Sequence, residues 1–87
     1  MKAVITVIGK DMVGIIAKVT AVLADANANV LEITQTILQQ YFAMIMIVDT
    51  SKMTCSLDEL KADLNERVEG MTIHVMHEDI FDAMHHV

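Results

Sequence analysis

Period-two alternation gives way to period-3.6 amphipathicity twice along this chain, and each helical stretch returns to a strand pattern. Residues 2–9 set Ala3, Ile5 and Val7 against Val4, Thr6 and Ile8, a β-branched run that reads as a strand. Residues 12–26 then place Ile15, Ile16, Val19, Val22, Leu23 and Ala26 at helical spacing, with Lys18, Thr20 and Asp25 mostly on the other side. Asn27-Ala28-Asn29 tolerates turn or left-handed geometry and predicts the stop. Residues 30–39 alternate Leu31, Ile33 and Ile37 with Glu32, Thr34 and Thr36, as a half-exposed edge strand does.

The second half repeats the scheme. Residues 42–49 carry Phe42, Met44, Met46 and Val48 on one face and Ala43, Ile45 and Ile47 on the other, the density of an interior strand covered on both faces. Gln39-Gln40-Tyr41 is the short hairpin connection before it. Ser56 and Glu59 form a capping box ahead of the stripe Leu57, Leu60, Leu64 and Val68, and Gly70 stands where a left-handed residue ends the helix. Met71, Ile73 and Val75 then alternate with Thr72, His74 and Met76. A tail with Ile80, Phe81, Met84 and Val87 on one side predicts a short helix too weak to stand undocked.

Two strand–helix–strand units of this kind interleave into an α+β, ferredoxin-like βαββαβ fold: one four-stranded antiparallel sheet, two helices on one face and a short C-terminal helical turn. With 87 residues the chain is expected to form one domain over 1–87. At 54% hydrophobic residues it has more apolar surface than one small core hides, which predicts a homodimer or higher homo-oligomer. The sheet face away from the helices, carrying Met44 and Met46 or their alternates, is the candidate surface.

Charge and composition exclude several partners. A net charge of −6, six scattered basic residues and only Tyr41, Phe42 and Phe81 as aromatics argue against nucleic acid. The apolar run Tyr41 to Val48 is far short of the roughly 18 residues that cross a bilayer, so no membrane span is expected. Lys2 followed by strand-like alternation is unlike a secretory signal, and the single Cys55 leaves no internal disulfide; a cytoplasmic location is the expectation.

The most promising chemistry lies where the first strand meets the first helix. A helix start leaves about four backbone N–H groups unpaired and carries roughly half a positive charge, which suits a carboxylate. Gly14 allows close approach there, and Asp11 is the N-cap candidate. A capping Asp11 opposes a plain anion, whereas a zwitterion would set its carboxylate on the N–H groups of Val13 to Ile15 and its ammonium near Asp11. Asp11 as a plain cap and Gly14 as a packing glycine is the equally simple alternative. Lys10 adds a cation that serves solubility equally well.

Other candidates are weaker. His74 and His77 fall on opposite faces of a strand, and His85 and His86, with Asp82, sit near a chain end, so no resident metal or cofactor is expected. Cys55 precedes a helix start, which can lower a thiol pKa, but no sequence neighbour supports catalysis. An undefined enzyme using His74 or His77 as base lacks a visible nucleophile.

Gly9-Lys10-Asp11-Met12-Val13-Gly14-Ile15-Ile16-Ala17 after the first strand, and Asn29-Val30-Leu31-Glu32-Ile33 opening the second, resemble an ACT domain over essentially the whole chain. The tail His77-Glu78-Asp79-Ile80-Phe81-Asp82-Ala83-Met84-His85 is similar to that of small stand-alone bacterial ACT-domain proteins. The resemblance implies a non-catalytic regulatory domain that binds an amino-acid-like ligand between the subunits of a side-by-side dimer. The ligand residues it implies are Lys10, Asp11, Met12, Val13, Gly14 and Ile15, with Asn29 opposite. A ligand-free module docking a protein partner through its sheet or C-terminal helix is the alternative.

Overall fold

The computed structural model describes residues 1–10 and 14–85. Its elements run β1 (Lys2–Gly9), α1 (Ile15–Asp25), β2 (Asn29–Leu38), β3 (Tyr41–Asp49), α2 (Leu57–Arg67), β4 (Thr72–His77) and α3 (Glu78–His85). The sheet order is β2-β3-β1-β4 and every neighbouring pair is antiparallel, the ferredoxin-like arrangement.

Register decides what each face carries. Ala3, Ile5 and Val7 of β1 stand opposite Val48, Met46 and Met44 of β3, and all six are at most 1% exposed. Val19, Val22 and Leu23 of α1 and Leu60 and Leu64 of α2 close this core from above. Burying each such side chain is worth roughly 1.5–3 kcal/mol, so the layer that anchors both helices is also the main source of stability. Met44 and Met46 therefore belong to the core, and their alternates Ala43, Ile45 and Ile47 lie on the other face. That face is only partly covered: Ile45 is 38% and Ile8 45% exposed, so β3 is not enclosed on both sides as its density predicts.

At the opposite end of the same face Val4 is 1% exposed, where α3 packs back on β1 and β4. The tail does dock, but Ile80 stays 56% exposed, so it is not on the docking side. The side chains of Phe81 and Met84, and residue 87, lie outside the described residues.

Local chemistry sets the ends of the elements. Ser56 Oγ accepts from Glu59 N–H at 3.1 Å and Glu59 Oε1 accepts from Ser56 N–H at 3.4 Å, the capping box expected. Asn27 adopts φ 59°, with Asn27 N–H on the Ala24 carbonyl and Ala28 N–H on that of Leu23, a Schellman stop for α1. Gly70 is left-handed at φ 81°, one residue later than expected, because Val68 is the C-cap of α2. The β2–β3 hairpin is tighter than its sequence predicts: Leu38 pairs with Tyr41, and Gln39 alone of the two loop residues takes a positive φ.

Strand β2 is the exposed edge. A bulge between Val30 and Glu32 shifts the register, so Ile33 and Ile37 face the helix side, opposite Met46 and Phe42. Neither helix reaches over them, and they are 39% and 59% exposed. Ile16 of α1, expected in the core, is 37% exposed.

Candidate functional site

Gly14 opens α1 in the left-handed conformation, φ 73° and ψ 0°, and among the described residues no side chain caps the helix. A β-carbon on Gly14 would meet nothing within 4 Å, so the space above the helix start is open. Lys18 N–H reaches the Gly14 carbonyl at 3.0 Å as the first helical bond, which leaves the N–H groups of Ile15, Ile16 and Ala17 without intrahelical partners. The helix thus starts at Ile15 rather than at the expected residue 12. A left-handed residue does not belong to a right-handed helix, so Gly14 stands just outside α1. Asp11, Met12 and Val13 themselves lie outside the described residues. With no acidic residue in the first turn, nothing described competes with an incoming carboxylate.

Beside this helix start is a cavity of about 490 Å³, within the range of small-molecule sites. It takes in Lys10 and Ile15 of the expected site, and from elsewhere Lys18, Tyr41, Glu69 and Met71. Two strand pairings bring these together: Thr72 of β4 lies opposite Ile8 of β1, and Phe42 of β3 opposite Gly9. The turn after α2 therefore adjoins the turn before α1. Lys10 Nζ stands 5.7 Å from the centroid of the Tyr41 ring, a cation–π distance. Met71 packs over Gly9 so closely that a β-carbon there would overlap its sulfur.

Asn29 is elsewhere. It begins β2 opposite Asp49, which in turn faces Lys2 at the start of β1. Gly9 lies level with Ile37 through Phe42, so within one chain Asn29 is about eight strand residues, roughly 25 Å, from the turn. It lines a separate polar cavity of about 400 Å³ with Asn27, Asp49, Ser51 and Lys52. There Asn27 Nδ2 donates to the Lys52 carbonyl at 2.8 Å, and Ser51 N–H donates to Asp49 Oδ1 at 2.9 Å. The Ser51 bonds hold the Asp49 carboxyl below its ordinary value of 3.8.

Of the remaining candidates, His77 and Cys55 have local explanations. His77 Nδ1 accepts from Asp79 N–H at 3.1 Å at the start of α3, and no group of three metal-ligating side chains occurs among the described residues. Residue 86 lies outside them, as does the side chain of His85. The Cys55 thiol is raised above its ordinary 9.0, by burial first and then by Glu59 and Asp63, the reverse of the lowering that its place before α2 predicts. The negative first turn of α2 lies too close for the helix terminus to favour a thiolate. Among the described residues no helix is long and apolar enough to cross a membrane.

The chain is thus a small ferredoxin-like module with α1 and α2 on one sheet face and α3 on the other, and a strand-to-helix turn opened by a left-handed glycine beside a small-molecule-sized cavity. The ACT-domain family model matches residues 2–78, and the chain belongs to the ACT-domain family, whose members are regulatory domains that bind small ligands. It is similar to a UPF0237 protein from Clostridium acetobutylicum, 49% identical over 89 aligned residues that cover 100% of both chains. It is also similar to an ACT domain protein from Streptococcus pneumoniae, 35% identical with a TM-score of 0.75, the match covering 97% of each chain. A third similarity is to the ligand-free regulatory subunit of aspartate kinase from Thermus thermophilus, 26% identical with a TM-score of 0.65, over 85% of this chain and 49% of that one.

Proposed function

We propose that the protein is a non-catalytic regulatory homodimer that binds an α-amino acid at the Gly9–Ile15 turn, with Asn29 supplied by the second subunit. The observation that carries this reading is the place of Asn29 at one end of the exposed edge strand β2, at the end of the sheet opposite the turn that follows β1. If two β2 edges pair antiparallel about a twofold axis, the Asn29 end of each lies beside the far end of the other. The exposed Ile33 and Ile37 support such pairing, since a long edge with apolar side chains associates unless something covers it.

The unpaired N–H groups after Gly14 and the adjacent Lys10 favour the ligand's carboxylate. Likeness to the regulatory subunit of an enzyme supports a signalling rather than a chemical role, and His77 and Cys55 have structural accounts. Output then passes through a partner protein or through the dimer itself. Calorimetric titration of the purified dimer with each proteinogenic amino acid is the test: saturable heat with one or a few is expected, and no heat with any overturns the reading.

A further inference from the structure

We infer that the polar cavity beside Asn29 receives the ligand's side chain, and selects amino acids whose side chain is neutral and carries both a hydrogen-bond donor and an acceptor, a carboxamide or a hydroxyl. The inference rests on the reading that Asn29 of one subunit meets an α-amino acid held at the Gly9–Ile15 turn of the other, and adds which side chains the Asn29 end accepts.

The cavity is built within one chain. Its volume of about 400 Å³ lies in the range of small-molecule sites, and Asn27, Ala28, Asn29, Asp49, Ser51 and Lys52 line it. The turn after α1 and the loop after β3 supply its walls and are bonded to each other. Asn27 Nδ2 donates to the Lys52 carbonyl at 2.8 Å, and Thr54 N–H donates to the Ala26 carbonyl at 3.0 Å. Walls already cross-linked lose little freedom when a ligand enters. Asn29 and Asp49 are cross-strand partners, their Cα atoms about 5 Å apart. A ligand atom that bonds Asn29 therefore enters the surroundings of Asp49 too.

The chemistry of the lining decides the class. Ala28 is the one apolar side chain in it, so an apolar ligand side chain would gain little contact while taking water from amides and charges. Asp49 is an acceptor pinned by Ser51, whose N–H bonds Oδ1 at 2.9 Å and whose bonds hold the carboxyl below its ordinary 3.8. Lys52 carries the opposite charge. Its carbonyl is taken by Asn27, and among the described residues its ammonium has no ion pair. Lys2 and the N-terminal ammonium also draw on Asp49 but lie outside the lining. One anion and one cation within the lining oppose a net charge of either sign: an acidic side chain would meet Asp49, and a basic one Lys52. A carboxamide or hydroxyl instead donates to Asp49 and accepts from Lys52 or the Asn29 amide.

The test is calorimetry on the intact dimer with sets of similar shape and different chemistry: L-asparagine, L-aspartate and L-leucine; L-glutamine, L-glutamate and L-methionine; and L-serine against L-alanine. The neutral polar member of at least one set is expected to bind at least tenfold more tightly than its charged and apolar counterparts. Lys52→Met is expected to lower the preference over the apolar counterpart about tenfold, and Asp49→Asn to lower the preference over the acidic one about tenfold. Lys52→Met keeps the carbonyl that holds Asn27, so it decides the matter if circular dichroism shows Asp49→Asn unfolded. Preference for a charged or apolar member in every set that binds, or a polar preference that neither variant changes, overturns the role of the cavity. If that binding is lost in Gly14→Val, the turn reading stands without it. No heat with any amino acid overturns both readings together.

Discussion

Met71 lies directly over the backbone of Gly9, with its sulfur where a β-carbon on that residue would stand. The contact ties the last residue before β4 to the last residue of β1 and forms one wall of the cavity. Gly9→Ala forces the thioether aside without requiring the backbone to move, because the clashing atoms are the far end of a flexible side chain. A loss of about 1–3 kcal/mol in urea unfolding is expected. Gly9→Ala combined with Met71→Ala should cost less than the sum of the two single changes, with a coupling of roughly 0.5–3 kcal/mol. Strict additivity would show that the two residues do not meet.

Gly14 has the opposite problem. Its φ of 73° disfavours any L side chain, although space above it is open. Gly14→Val is expected to cost about 1–2 kcal/mol, and Gly14→Asn distinctly less, because Asn tolerates left-handed backbone. A β-branched side chain also projects toward the unpaired N–H groups. Heats of amino-acid binding should therefore vanish in Gly14→Val, even at temperatures where circular dichroism reports it folded.

Subunit mixing tests whether Asn29 acts across a dimer. Asn29→Ala and Gly14→Val homodimers are each expected to bind no amino acid. In an equilibrated mixture half the dimers are heterodimers, each with one intact and one doubly altered site, so about a quarter of all sites recover. Recovery followed by calorimetric stoichiometry supports a shared site. No recovery, with heterodimers verified by mass spectrometry, places Asn29 outside it.

Cys55 sets a pH-dependent contribution to stability. Its folded pKa is raised above the ordinary 9.0, so the folded chain holds this proton more tightly than the unfolded chain. Stability conferred by the neutral thiol is fully present below pH 9, falls as pH rises through 9, and levels once the folded thiol ionises. Cys55→Ser should remove that part of the alkaline slope. The rate of reaction with a disulfide reagent should rise with pH to an inflection above 9, and an inflection near 7 would contradict the assignment.

Local pattern was enough for the order of elements, because alternation along β1, β3 and β4 and the stripe on α2 are set by neighbours two to four residues away. The capping box at Ser56 and the stop at Asn27 were equally legible, since each is a hydrogen-bonding unit complete within a few residues. The start of α1 was not: Met12 and Val13 extend the apolar period upstream, and only the left-handed backbone at Gly14 breaks it. Gly14 was the available signal, because glycine adopts that conformation without strain.

The sidedness of β2 and the composition of the site depended on tertiary structure. A one-residue bulge at Leu31 moves Ile33 and Ile37 to the helix face, and whether a helix covers them there depends on packing of α1 that no strand pattern encodes. Sequence by itself determined that this chain makes a ferredoxin-like sheet with a glycine-opened turn after its first strand, because periodicity and turn chemistry are local. Only the tertiary structure decided that Glu69 and Met71 stand beside Lys10, and that Asn29 does not, because strand pairing joins residues some sixty positions apart and separates the two ends of a single strand.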